Sequence, residues 1–326
     1  MSTAEYRAMD ISVVIPTFNR PDRVFHAVRS ALEQSLAPRE VVVQIDGATS
    51  DATTRARLAT IDDNRLRVAS SAEQLGNAEA RNRAIGASKG EWIALLDDDD
   101  TWHPRKLEWQ ADAIARAMAS DKFELGRVCV ASCRLQAFTE HRTYRWPRLD
   151  PRPDEPIGDY LFCRRWPLSG DRLVQTSTIV APRVLFDAVA FRDGKRFVDQ
   201  DWLLRVADRG PTSLVFPETR LPLTYWDMTP GRHRVSHHLD WHWSLRWIAR
   251  RRAITSKRAR AAFLLTLASA SAADAGNNRA FMPLLVAAFR LGRPNPAELL
   301  THVANFALSR PNRDRIAARV NRLLGS

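Results

Sequence analysis

Four consecutive aspartates, Asp97-Asp98-Asp99-Asp100, stand directly behind the apolar run Trp92-Ile93-Ala94-Leu95-Leu96. Adjacent carboxylates repel one another, and a strand end does nothing to offset that. A hard divalent cation does, because Mg²⁺ and ions like it take oxygen ligands and favour one or two carboxylates together with phosphate oxygens. A plainer reading competes with this one: an acidic turn ahead of the helix expected from His103-Pro104, Asp being a favoured N-cap.

The elements around the run are those of an α/β domain. Trp92 to Leu96 reads as a strand buried on both faces of a sheet. Ile11-Ser12-Val13-Val14-Ile15 is a β-branched strand stopped by Pro16, and Val41 to Ile45 is a second strand ending in Asp46-Gly47. Between them, Val24, Ala27, Val28, Ala31 and Leu32 recur at helical spacing, so strand, helix and strand form a right-handed βαβ unit. Further elements follow: helices at Ala52 to Thr60, Ala78 to Ser88 and Leu107 to Met118, and strands at Leu66 to Ala69, Val128 to Leu135, Thr176 to Val180, Ser213 to Phe216 and Leu223 to Trp226. Phe197-Val198-Asp199-Gln200-Asp201 leads into a helix over Trp202 to Ala207. Ligands of such doubly wound folds sit at the carboxyl ends of strands, where Asn19, Asp46 and Asp97 to Asp100 all fall. No Gly-x-Gly-x-x-Gly or Walker-type loop follows any strand, which disfavours dinucleotide-binding and P-loop readings.

Length and composition bound the rest. The 326 residues allow one large α/β domain with an appendage, and 45% hydrophobic with 26% charged residues is ordinary for a globular chain. A formal net charge of +12, carried almost wholly by arginine, points to an anionic partner such as a nucleotide phosphate. Cys129, Cys133 and Cys163 are odd in number and lack zinc spacing, which predicts reduced thiols. No signal pattern opens the chain and no uncharged apolar run is long enough to span a bilayer, so a cytoplasmic location, extending to the inner face of the membrane, is expected.

Taken in order, these motifs resemble the family 2 inverting glycosyltransferases over roughly residues 10 to 240. Pro16-Thr17-Phe18-Asn19-Arg20 resembles the family's opening loop, and Asp46-Gly47-Ala48-Thr49-Ser50-Asp51 its nucleoside-binding turn, with an Ile where a first Asp is common. Gly76 with Ala80-Arg81-Asn82 resembles the next element, and Leu96-Asp97-Asp98-Asp99-Asp100 the Asp-x-Asp metal motif. The resemblance implies a GT-A fold, a Rossmann-like mixed sheet flanked by helices. It implies a nucleotide-sugar donor, often a uridine diphosphate sugar, and Mn²⁺ or Mg²⁺ held at Asp97 and Asp99. Pro16, Thr17, Asn19, Arg20, Asp46, Gly47, Arg81, Asp97 and Asp98 would then face the donor, Asp46 accepting from its base or ribose. Val198-Asp199-Gln200-Asp201 with Leu204-Arg205 resembles the segment that supplies the catalytic base. Val198 stands where an acidic residue is usual, so Asp199 and Asp201 both remain candidates. Alignment on Arg205 puts Asp199 at the base position and leaves Asp201 to orient it or to hold the acceptor, a saccharide, lipid-linked or other hydroxyl. Their plainer reading is a pair of N-caps. Arg232, His233, Arg234 and His237 are placed to close over a diphosphate, or form a basic surface loop.

Two domains are expected, residues 1–240 and a helical C-terminal extension over 241–326. Trp241 to Arg260 carries seven basic residues, no acidic one, and Trp241, Trp243 and Trp247. Such a helix either lies on an anionic membrane as a peripheral anchor or packs with its arginines exposed. Two rivals to the transferase reading are weaker. A sugar-nucleotide pyrophosphorylase wants a Gly-rich basic loop after the first strand, where this chain has Pro16-Thr17-Phe18-Asn19. A nucleic-acid-binding protein is suggested by charge alone, and four contiguous Asp repel phosphates; no nucleic-acid partner is expected.

Overall fold

Ile11, Val13, Val14 and Ile15 are all but inaccessible to solvent, and each such buried side chain contributes roughly 1.5–3 kcal/mol relative to exposure. In the computed structural model they belong to the strand on which the larger part of the chain is built. The structure describes residues 9–120, 126–138, 143–152, 154–167, 172–192, 194, 196–228, 241–309, 311–313, 315, 316 and 319. In chain order the elements are β1 (Ile11–Thr17), α1 (Pro21–Leu32), β2 (Glu40–Ile45), α2 (Asp51–Leu58), β3 (Leu66–Ser70), α3 (Asn77–Ala87), β4 (Trp92–Leu95), β5 (Asp100–Trp102) and α4 (Lys106–Met118). They continue as β6 (Val128–Ala131), β7 (Leu135–Phe138), β8 (Thr143–Trp146), α5 (Ile157–Phe162), β9 (Val180–Pro182), α6 (Arg183–Ala188), α7 (Val198–Ala207), β10 (Thr212–Val215) and β11 (Thr224–Asp227). The last helices are α8 (Trp241–Arg250), α9 (Lys257–Phe263), α10 (Ser269–Asp274), α11 (Phe281–Leu291) and α12 (Pro296–Ala307), with a π turn at Leu264–Ala268 joining α9 to α10.

The first compact unit comprises Met1–Pro151 and Val174–Arg232. Its main sheet runs β10-β6-β9-β4-β1-β2-β3, and a smaller one runs β5-β11-β7-β8. β1 pairs in parallel with β2 from Ser12↔Glu40 to Thr17↔Ile45, and with β4 from Ile11↔Trp92 to Val14↔Leu95. β9 inserts antiparallel beside β4, which makes the sheet mixed, as expected. Pro16 does not stop β1: the β4 pairing ends at Val14, so its missing N–H falls where that neighbour has gone. The spacing expected of α1 is realised, with Val24, Ala27, Val28, Ala31 and Leu32 all buried. The acidic run lies at the crossing between the sheets, after β4 and into β5.

Two expected strands resolve differently. Val128 to Leu135 is not one strand: β6 ends at Ala131 in the main sheet and β7 begins at Leu135 in the smaller one. Thr176 to Val180 is largely a turn. The Gln175 side chain accepts from the Ser177 N–H, and the Thr176–Thr178 residues close a 3₁₀ turn before β9 starts at Val180. Local side-chain bonds outcompete the β preference of Thr here.

The second unit comprises Arg152–Leu173 and His233–Ser326. It differs from a single cut at 240 by the segments 152–173 and 233–240, and α5 in the former contributes Phe162 to an aromatic cluster. The Phe162 ring meets Trp247 edge-on at 6.2 Å and Phe263 at 5.2 Å. Trp241 and Trp247 of α8 pack inward, Trp243 is half-buried, and Arg246 and Arg250 lie outside. Among the described residues no helix is long and apolar enough to cross a membrane.

Candidate functional site

A turn closed by the Asp100 N–H on the Asp97 carbonyl (3.2 Å) sorts the four carboxylates into two pairs. Asp97 and Asp99 keep about a quarter of their side-chain surface, 23% each, whereas Asp98 and Asp100 are buried. The buried pair holds the scaffold. Asp98 accepts from Thr17 Oγ1 (2.7 Å) and from Arg20 Nη1 (2.9 Å), tying the acidic turn to the loop after β1. Burial pushes its carboxyl up to about 6, with the Arg20 charge opposing. Asp100 Oδ2 accepts from Ser177 Oγ (2.6 Å) and Gln175 Nε2 (2.8 Å), and burial raises its carboxyl well above the usual range.

The part-exposed pair is held by arginines. Arg81, itself buried, donates from Nη2 to Asp97 Oδ1 at 2.7 Å, and the Asp97 N–H donates to Ser177 Oγ at 2.9 Å. Asp99 accepts from Arg20 Nη1 at 3.2 Å, with Arg23 Nη1 at 3.8 Å. Among the described residues no three His, Cys, Asp or Glu side chains converge as a closed metal cage. Two part-exposed carboxylates two residues apart are an open donor set of the kind that suits a hard cation whose other ligands are phosphate oxygens and water.

On the side of the β2 end, Asp46 is buried and already engaged: Oδ1 accepts from the Leu75 N–H (2.6 Å) and Oδ2 from the Gly76 N–H (3.0 Å). Gly47 and Gly76 take φ of +91° and +88°, conformations that glycine adopts without strain. Thr17 lies at the end of β1 and accepts from the Asp46 N–H through its carbonyl at 2.8 Å. Pro16 is buried within β1, while Asn19 is exposed with φ of 54°, a left-handed turn that Asn tolerates. The loop after β1, the Asp46 turn, Arg81 and the acidic run thus border one another.

Asp199 joins this group and Asp201 does not. Both lie in the first turn of α7, but residues two apart on a helix point to different sides. Asp199 Oδ1 accepts from Thr176 Oγ1 at 2.5 Å. Burial pushes the Asp199 carboxyl up to about 6; the Arg81 charge opposes this, the Asp97 charge adds to it, and the Thr176 hydroxyl opposes it. Asp201 pairs instead with Arg205 Nε at 2.9 Å, one helical turn on. Arg232, His233, Arg234 and His237 lie outside the described residues.

Sequence reasoning missed the turn Gln175-Thr176-Ser177-Thr178. Ser177 bonds to Asp97 and Asp100, and Thr176 to Asp199, so adjacent residues link the acidic run to α7. Three hydroxyls in a row behind a Gln were the available signal, and their β-branching masked it. Lys106 was missed too: it is wholly buried, with Nζ on Gln110 Oε1 (2.6 Å) and over the Trp102 ring, and burial pushes it down to about 8.

Residues 12–156 match the family model described as glycosyl transferase family 2. The succinoglycan biosynthesis protein ExoO of Rhizobium meliloti (strain 1021) is 37% identical over 143 residues, 43% of this chain and 40% of that protein. A UDP-Glc:α-D-GlcNAc-diphosphoundecaprenol β-1,3-glucosyltransferase of Escherichia coli, WfgD, is 32% identical over 100 residues, 31% of this chain and 39% of that protein. The amylovoran biosynthesis glycosyltransferase AmsB of Erwinia amylovora is 27% identical over 210 residues, 62% of this chain and 65% of that protein. The chain therefore spans less than two thirds of the length of each of these relatives. Among solved structures, S. aureus TarS 1-349 in complex with UDP-GlcNAc superposes with a TM-score of 0.57 at 19% identity, over 93% of this chain and 74% of that one, which shows a shared fold of the GT-A type. Through residues 12–156, which carry the loop after β1, the Asp46 turn, Arg81 and the acidic run, this chain is similar to glycosyl transferase family 2.

Proposed function

We propose that this chain transfers a sugar from a nucleoside diphosphate sugar, a uridine diphosphate sugar in the first instance, to an acceptor hydroxyl with inversion at the anomeric carbon. The observation that carries the reading is Asp199: a part-buried carboxylate raised to about 6, set within reach of the charges of Arg81 and Asp97 and held by the Thr176 hydroxyl. That is a base poised near neutral pH beside the place where a diphosphate would be held. The acceptor oxygen attacks the anomeric carbon from the face opposite the leaving group. Its proton passes to Asp199, the bond from that carbon to the diphosphate oxygen breaks, and the electron pair leaves with the nucleoside diphosphate.

Asp97 and Asp99 would hold a Mn²⁺ or Mg²⁺ ion, which supplies charge neutralisation on the departing diphosphate. Arg81 fixes the Asp97 carboxylate, and Arg20 and Arg23 fix Asp99, so these groups need little reorganisation on binding. Asp46, Gly47, Pro16, Thr17 and Asn19 shape the wall on which the nucleoside would rest; Asp46 does so by clamping the backbone at 75 and 76. Asp98 and Asp201 support rather than touch the reacting atoms. WfgD uses UDP-Glc and the TarS complex holds UDP-GlcNAc, both uridine diphosphate sugars, which favours that nucleotide here. The acceptor is a saccharide or another hydroxyl compound.

A thermal-shift screen of nucleotide sugars with and without Mn²⁺ tests the donor, since a ligand bound only by the folded state raises its apparent stability. A Mn²⁺-dependent rise with one uridine diphosphate sugar, followed by transfer with anomeric inversion seen by NMR, is the expected result. No response to any nucleotide sugar in either condition sinks the reading.

A further inference from the structure

Helix α12 is amphipathic in the wrong sense for a helix whose outer face meets water. Its inward residues are polar: Glu298, Thr301, His302 and Asn305 are all buried. They are held there, with His302 Nδ1 at 2.9 Å from Ser269 Oγ, Asn305 Nδ2 donating to Ser269 Oγ at 3.1 Å, and Glu298 clasped by both Arg258 nitrogens at 2.9 and 2.7 Å. Its outward residues are apolar, with Leu300 57% and Val303 51% exposed. The neighbouring α11 packs on the same 264–268 turn, buries Leu284 and Ala288, and exposes Met282, Val286 and Phe289 at i, i+4 and i+7. Ile316 is exposed beyond them. These side chains fall in one stretch of chain, whereas exposed apolar residues elsewhere are scattered singly, which is the pattern of an interaction surface.

Among the described residues the charge flanking these apolar side chains is mainly basic. Arg279 and Arg290 flank the apolar stripe of α11, and Arg315 and Arg319 lie past α12, all exposed. Among the described residues of 275–319 the one acidic side chain is Glu298, which is buried and paired. A second copy of this chain docked through the same face would set arginines against arginines. A sheet of lipid tails with anionic headgroups would instead accept the apolar stripes and neutralise the rim.

We propose that the outer face of α11 and α12 is a docking surface for an anionic lipid bilayer, on which the protein rests without spanning it. The Trp-bearing α8 has less to offer such a surface, because Trp241 and Trp247 are spent on the core. The proposal does not depend on the sugar-transfer reading.

The test is co-sedimentation of the 326-residue chain with phosphatidylglycerol vesicles at low salt, beside phosphatidylcholine vesicles. Binding to the anionic vesicles, weakened by salt and little seen with the zwitterionic ones, is expected. Phe289→Glu with Leu300→Glu should reduce it more than ten-fold with an unchanged melting temperature, and Arg290→Ala should reduce it roughly five-fold, the weight of one basic residue at such a surface. Val184→Glu, at an exposed apolar residue of the first unit, should leave it unchanged. Three outcomes overturn the proposal: no binding to anionic vesicles at low salt, binding that survives the double substitution, or lipid-free self-association that the double substitution abolishes. The last would make the face a contact between copies.

Discussion

Thr176 Oγ1 donates to Asp199 Oδ1 at 2.5 Å, across twenty-three residues of sequence, and that bond favours the ionised form of a carboxyl which burial pushes the other way. If Asp199 is the base, turnover must fall as pH drops through about 6, where it takes up its proton. Thr176→Val removes a donor to the charged form, so the acid limb of the kcat/KM profile should move to higher pH while turnover at pH 8.5, an arbitrary alkaline setting roughly two units above that limb, changes little. A profile whose acid limb ignores this substitution would separate Thr176 from the base.

Asp199→Asn should lower turnover by ~10²–10⁴-fold and leave donor affinity near native. It should also stabilise the protein at alkaline pH. A carboxyl with a raised folded-state pKa contributes stability that is present below its ordinary value of 3.8 and is lost as pH rises through about 6. Removing the charge should recover on the order of 1–3 kcal/mol above pH 7, visible as a higher melting temperature there and no gain near pH 4. Asp201→Asn removes the partner of Arg205 and should cost stability more than chemistry. If Asp201→Asn abolishes turnover while Asp199→Asn stays active, the two roles are reversed.

The acidic run predicts an asymmetry between its members. Asp99→Asn, at a part-exposed carboxylate, should weaken Mn²⁺-dependent donor binding by ten-fold or more, with little change in the melting temperature. Asp98→Ala should chiefly lower stability, by roughly 1–3 kcal/mol, because Thr17 and Arg20 both lose their buried acceptors. Titration of nucleotide sugar in Mn²⁺, beside thermal melts, reads both effects.

That asymmetry marks where sequence stops being informative. Asp97 to Asp100 stood out in the sequence because four like charges after a buried strand repel one another and need partners. Their sorting into an open and a buried pair was not, since Thr17, Arg20 and Gln175 reach them from about eighty residues away. The parallel βαβ elements announced themselves through β-branched runs and the Val24-to-Leu32 spacing. The 175–178 turn did not, because its residue types favour strands and only side-chain capping decides otherwise. The tail was legible as helical, but which face of α12 turns inward depends on His302 finding Ser269 and Glu298 finding Arg258.

Gly90 offers a stability test independent of chemistry. A Cβ there would stand 2.6 Å from the Ser12 backbone N and 2.8 Å from the Asp10 carbonyl O, both parts of the main chain leading into β1. Its N–H also donates to Ser12 Oγ at 2.8 Å. Gly90→Ala must push β1 from the start of β4, and overpacking of this kind costs about 1–3 kcal/mol. Gly86→Ala meets nothing within 4 Å and lies inside α3, so it should be neutral or stabilising. Equal melting temperatures for the two variants would contradict the close approach.

Ser177 provides the last test, because it acts on the site only through others. Its Oγ accepts from the Asp97 N–H and donates to Asp100, and its carbonyl accepts from Trp102 Nε1 at 2.8 Å. Ser177→Ala keeps the backbone bond but leaves a buried N–H and a buried carboxyl oxygen each short of a partner, a loss of about 1–3 kcal/mol. Were that all, donor affinity would survive wherever the protein is folded. If instead the hydroxyl holds Asp97 toward the diphosphate, the variant should show a raised Mn²⁺ requirement and a raised KM for donor at temperatures well below its melting point. Its pH profile should keep its acid limb near 6, since Thr176 still serves Asp199. Native Mn²⁺ and donor requirements in a folded but less stable Ser177→Ala would reduce this hydroxyl to a structural tie.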